Sequence, residues 1–285
     1  MSTMTALLLV LLALIVLVGG TAGLKSYLSI LINFCLIFMA AWLIAGGANI
    51  WLIAAIFVPL KLATIVYLGT NEQKLADQAF LSSLLVTVII VLLIFALTWL
   101  GQAVGLGNQD DEDLIGLATA PGIDYLLITA LVAIFSTLGA ISEAAVAMNA
   151  GLLELLRQTP TITPAAYQHS AQQMGQDILG TAINTILFGF FGSNLALFIW
   201  YLRLNYSLTQ LLNDKLFVQE VLVLLESIIG VLLIVPLTTW LIGWRKNYEA
   251  KRRNNKTTRQ NNKATRSQQP TVTSKQPPDT PHQEP

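Results

Sequence analysis

Charge is what this sequence has least of. Only 11% of its 285 residues are Asp, Glu, Lys or Arg and 54% are hydrophobic, against roughly 25% charged in an ordinary soluble chain. With its apolar residues gathered in long unbroken runs, such a chain has lipid for a solvent rather than water. Cysteine is almost missing too: Cys35 stands alone inside an apolar run, which excludes an intrachain disulfide. His169 and His282 are the only histidines, so no Cys/His cluster exists for zinc or iron, and no metal or cofactor is expected. The chain also has no Gly-x-Ser-x-Gly elbow, no His-Glu-x-x-His helix and no paired aspartates of an intramembrane protease, so no catalytic residue and no enzyme activity are expected. Its acidic run "NQDDEDL", residues 108–114, has neither the glycine nor the terminal glutamate of an EF-hand loop and reads as a solvated turn.

What is present is a series of apolar segments. About 20 such residues cross the hydrocarbon core, and by that measure the sequence predicts an all-α, polytopic bundle of about seven transmembrane helices over residues 1–247. The spans run from Thr5 to Gly19, Ser26 to Ala45, Asn49 to Leu68, Phe80 to Gly101, Tyr125 to Leu156, Ile178 to Tyr201 and Val221 to Trp244. The fifth stays helix-compatible over about 45 Å, longer than the roughly 30 Å core, and so is either one tilted or projecting helix or a broken, hairpin-like segment. "MSTMTA" places no positive charge ahead of the first apolar run, which is read as a retained helix rather than a secretory signal.

The formal net charge of zero hides an asymmetry: ten of the sixteen Lys and Arg residues follow Trp244. The positive-inside rule places that end in the cytoplasm, and seven crossings then put the N-terminus outside. A hairpin at the fifth segment would invert everything before it. Residues 248–285 hold almost no large apolar side chain and are predicted to be a disordered basic tail. Its cations fit attraction to anionic lipid at about 1 kcal/mol each near the surface, and nucleic-acid binding is not expected.

Against this apolar background a few polar residues stand out. In "GAISEAAVAMNAGLLELL", residues 139–156, Ser136 just upstream, Glu143, Ala147, Ala150 and Glu154 share one helical stripe. Small residues let membrane helices approach closely, so this face is expected to pack against other helices, with Glu143 deep among them. A charged carboxylate at that depth costs at least about 2.5 kcal/mol on insertion scales, which argues for a role. In "MGQDILGTAINTILFGFFGSNLALF", residues 174–198, Asp177, Thr181 and Asn184 form a second polar stripe. Asp177 caps a helix if one begins there; if a helix starting at Thr163-Pro164 runs on, Asp177 is interior and the cap role is lost. Lys61, two residues after Pro59, lies halfway along the third span and either meets a carboxylate, with Glu143, Asp177 and Glu226 as candidates, or snorkels to an interface.

"GAISEAA" (Gly139 to Ala145), "LLELL" (Leu152 to Leu156) and "GQDILGTAINT" (Gly175 to Thr185), with Gly69, Asn71 and Lys74 upstream, resemble the YibE/F family of bacterial membrane proteins. The family's usual Asp is Glu143 here, and Val146-Ala147 replaces its Met-Ser, removing a hydroxyl. The resemblance implies a multi-pass protein of the bacterial cell membrane, a permease of unassigned solute, and, for a YibF-like chain without an added extracellular region, a YibE-type membrane partner. Two functions are then expected in competition. One is a permease subunit coupled to a proton or cation through Glu143, with Asp177, Thr181, Asn184 and Lys61 as transport residues. The other is a non-transporting scaffold whose polar faces only specify helix pairing.

Overall fold

The computed structural model describes residues 3–70, 72–101 and 125–268, the last of them from 246 onward by backbone only. The acidic run at 108–114, Asn71 and residues 269–285 of the basic tail lie outside the described residues. Among those described, all regular structure is helical: α1 (Thr3–Ala45), α2 (Ile50–Gly69), α3 (Gln73–Gly101), α4 (Tyr125–Gln158), α5 (Pro164–Ser193), α6 (Leu195–Arg203), α7 (Leu208–Asn213) and α8 (Lys215–Gln268). The chain divides into two compact units, Met1–Ile242 and Gly243–Pro285; in the second, the backbone is helical to Gln268.

Among the described residues five helices are long and apolar enough to cross a membrane, and α5 with α6, bent by 51° between them, supplies a sixth candidate. Here α1 is counted once although it covers the first two expected spans. Gly20 breaks it, at φ 54° and ψ −134°, a conformation open to glycine but strained for a residue with a Cβ. A Cβ on Gly23 would collide with the carbonyl oxygen of Ile15. In a straight helix those residues stand about 12 Å apart along the axis, so the chain doubles back at Gly20. Residues 3–19 and 21–45 are therefore separate rods, as the two expected spans require.

The long segment from Tyr125 is one helix of 34 residues, not a hairpin; at 1.5 Å per residue it is about 51 Å long. Its partner α5 begins where the sequence signals a start: Thr163 accepts from the Ala166 amide, Pro164 follows as the first helical residue, and the helix runs through to Ser193. Asp177 is thus interior and caps nothing.

The core lies where α3 and α4 pack, with α2, α5 and α8 around them. Val86, Ile90, Ile94, Leu138, Ile141, Met148 and Leu152 are buried there with Val231 and Ile234. A smaller cluster joins Leu36 and Ala40 of α1 to Ile53 and Phe57 of α2 and Leu131 of α4. Polar clasps set the register. Asn149 donates to the Ser82 hydroxyl (2.9 Å), Thr64 to Asn33 (3.0 Å), Tyr67 to Asp77 (2.9 Å) and Tyr167 to the Thr239 carbonyl (3.1 Å). Arg157 at the end of α4 pairs with Glu72 just before α3. Glycine sets how closely α8 approaches, because a Cβ on Gly230 would meet Ile141 and one on Gly175 would meet Val235. Leu17, Val18, Phe34, Trp42, Leu92, Phe188 and Leu202 lie uncovered, a large apolar area that lipid, not water, accommodates.

Candidate functional site

Between α4 and α5 lies a cavity of about 500 Å³. From α4 it is lined by Ala140, Glu143, Ala144 and Ala147, and from α5 by Asp177, Ile178, Thr181, Ala182, Thr185 and Ile186. The alanine stripe explains why there is room: successive small side chains on one face of α4 keep a gap open where larger ones would fill it. The structure therefore brings together Glu143, Asp177 and Thr181, which the sequence places some 35 residues apart. Glu143 is not sealed among close-packed helices as expected. It is exposed, facing this cleft, because α4 turns its other face, carrying Ser142, Ala145 and Asn149, into the core.

The cavity offers acceptors. Thr181 spends its hydroxyl proton on the Asp177 carbonyl (3.1 Å) and Thr185 on the Thr181 carbonyl (3.0 Å), so each presents lone pairs to the cleft. No Lys or Arg lines it, and among the described residues neither Glu143 nor Asp177 has a salt bridge or a hydrogen bond to its carboxylate. Two carboxylates and hydroxyl oxygens in an apolar wall favour an occupant that is positively charged or rich in donors.

Asn184 is not in this cavity. It lies in a shallower groove on the outward side of α5, with Gln176, Gly180, Phe188 and Gly189, sharing Asp177, Thr181 and Thr185 with the cleft. A Cβ on Gly180 or Gly189 would meet nothing within 4 Å, so no described residue covers that face of α5.

Lys61 also stands apart. It is buried, and its ammonium donates to the Phe135 carbonyl (3.1 Å) and lies 4.9 Å from the centre of the Phe135 ring. None of the three carboxylates expected as counter-charges pairs with it among the described residues. Pro59 is tolerated inside α2, and two residues on, the side chain is aimed at α4.

The carboxylate that is buried is Glu226, at 1% exposure, and its Oε2 has no hydrogen-bond partner among the described residues. In the sequence it appears only as a possible counter-charge to Lys61, within an apolar run that resembles the surroundings of Glu143.

A bundle of long apolar helices with carboxylates along its candidate spans, and with α5 and α6 bent by 51° between them, defines a multi-pass membrane protein. A family model described as YibE/F-like protein matches residues 7–247, and the chain belongs to that family. No curated protein and no solved structure matches it.

Proposed function

We propose that the protein is a permease subunit that binds a small cationic solute in the cleft between α4 and α5. The observation that carries this reading is the cavity itself, with Glu143 and Asp177 on facing helices and no cation lining it. The 51° bend between α5 and α6 supports it: transporters commonly interrupt a helix near the solute path. Here the break at Asn194 is tied to α8 by a hydrogen bond from the Asn194 amide to Glu220 (3.1 Å). The excess of Lys and Arg after Trp244 supports a cytoplasmic C-terminus and an outside N-terminus in a bacterial cell membrane.

Tetraethylammonium, a cation that does not cross lipid unaided, is a suitable probe in reconstituted vesicles. Wild type is expected to take it up saturably, and Glu143→Gln combined with Asp177→Asn to reduce uptake at least about tenfold, the equivalent of ~1.4 kcal/mol of lost binding. No uptake by wild type would turn the balance to a non-transporting subunit, and equal uptake by both would remove the cleft as the solute site.

A second reading, an assembly role, is favoured by the bare outward face of α5. Gln176, Gly180, Asn184 and Gly189 there are polar or small, a composition suited to another helix rather than to acyl chains. The occupant on this reading is a YibE-type membrane partner. Gly180→Leu with Asn184→Leu should leave the chain folded, because open space surrounds Gly180. It should lower the amount of that partner recovered with the tagged chain from native membranes by about tenfold, as quantified by mass spectrometry. Unchanged recovery would count against this face as the contact.

A further inference from the structure

Glu226 takes no part in the α4–α5 cleft, yet it is the most enclosed acidic residue among those described. It sits one helical turn before Gly230, on the same side of α8. That side faces the core, since Gly230 lies so close to Ile141 of α4 and Ile90 of α3 that a Cβ there would be 2.7 Å from one and 3.5 Å from the other. Further along, α8 packs on α5 through Val235 against Gly175 and through the bond from Tyr167 to Thr239.

Among the described residues, the titratable and charged groups on those neighbours do not answer its charge. On α3, Lys74 and Asp77 are exposed, and Asp77 accepts from Tyr67. On α4, Glu143 is exposed, while Glu154 and Arg157 are exposed and paired with each other, Arg157 also with Glu72. On α5, His169 and Asp177 are exposed, and Tyr167 is committed to a carbonyl. On α8 itself, Lys215 and Arg245 are exposed and Glu220 accepts from Asn194. The buried cation, Lys61 of α2, is bound to the Phe135 carbonyl. An ionised carboxylate at 1% exposure with no described cation beside it and no donor on Oε2 would forgo its hydration without compensation. A neutral carboxylic acid avoids most of that cost.

We propose that Glu226 is a proton-binding site in the bundle core, occupied in this conformation, whose proton is released only when α8 draws away from α3 and α4. On release the O–H bond breaks, the proton passes to entering water, and the carboxylate left behind keeps its electron pair and is hydrated by the water that the opening admits. Protonation and packing are thereby linked: the closed arrangement holds the proton, and the open one lets it go. This site does not depend on the α4–α5 cleft being a solute site.

The test is infrared difference spectroscopy of the full chain in lipid nanodiscs. Wild type at neutral pH should show a protonated-carboxyl C=O band that shifts in deuterium oxide. Glu226→Gln should lose the band completely, and Glu143→Gln and Asp177→Asn should keep it. If Glu226→Gln fails to fold, Glu226→Asp serves instead, and the band should move in frequency. Absence of the band from wild type, its survival in Glu226→Gln, or an unmoved band in Glu226→Asp would each overturn the proposal.

Discussion

Gly230→Leu is expected to destabilise the bundle more than any other single apolar substitution in α8, by upwards of about 3 kcal/mol, the upper end of overpacking costs. The cause is local. A Cβ alone at this position would stand 2.7 and 2.8 Å from Cγ1 and Cδ1 of Ile141 and 3.5 Å from Cγ1 of Ile90. Ile141 and Ile90 are themselves fully buried, and a β-branched side chain has little rotamer freedom with which to retreat. Gly230→Ala is milder, since the helix gains up to about 1 kcal/mol when glycine becomes alanine and overpacking costs about 1–3 kcal/mol; a net loss of up to ~2 kcal/mol follows. Gly180→Ala provides the control. Its Cβ meets nothing within 4 Å, so only the propensity gain remains and stability should rise by up to ~1 kcal/mol. Thermal unfolding of the purified variants in detergent measures all three, and equal midpoints for Gly230→Ala and Gly180→Ala would refute the close approach of α8.

Opposite signs are expected at Lys61. Lys61→Met should leave the protein as stable as wild type or more so, by as much as about 4 kcal/mol, the upper range for replacing buried ions with apolar groups of similar volume. An ammonium carries three donors, and only the bond to the Phe135 carbonyl is made among the described residues; the nearby ring adds about 0.5–2 kcal/mol of cation–π attraction. Methionine keeps the stem's packing and removes the desolvated charge. Lys61→Glu, by contrast, would aim a carboxylate at a carbonyl oxygen and at the negative face of the ring, a loss of about 3–5 kcal/mol of the kind seen for uncompensated buried charge. The same unfolding measurement decides: a Lys61→Met protein weaker than wild type by over ~1 kcal/mol would mean that the ammonium has a charged partner. Tetraethylammonium uptake by a stabilised Lys61→Met protein would then separate packing from transport at this position.

The helices themselves were legible because each span is long, apolar and bounded by its own signals. Thr163-Pro164 marks the start of α5 where the structure has it, and Asn49 caps α2 with its side chain on the Trp51 amide. The reversal at Gly20 falls at the foreseen junction of the first two rods, where "GGTAG" interrupts the apolar run. The break at Asn194 was not foreseen, because Ser193 and Asn194 can equally sit inside a membrane helix; the bond from the Asn194 amide to Glu220 involves a residue 26 positions away.

For the site, sequence spacing found the stripe on α4 and the stripe on α5, and the structure sets Glu143, Asp177 and Thr181 around one cleft. It misjudged which carboxylate is enclosed. Glu143 sits in "GAISEAAVA" and Glu226 in "VLLESIIGV", each an acid in an apolar context, and nothing local separates them.

By itself, then, the sequence determined that the chain lives in lipid, that it is built of helices, and which short polar stripes those helices carry, since all of these follow from composition and from periods within one segment. Only the tertiary structure decided that Glu143 opens into a cleft, that Lys61 meets a backbone carbonyl and that Glu226 is closed off. Those outcomes depend on which face each helix turns to its neighbours, a choice made by close contacts such as Gly230 on Ile141 between residues nearly ninety positions apart.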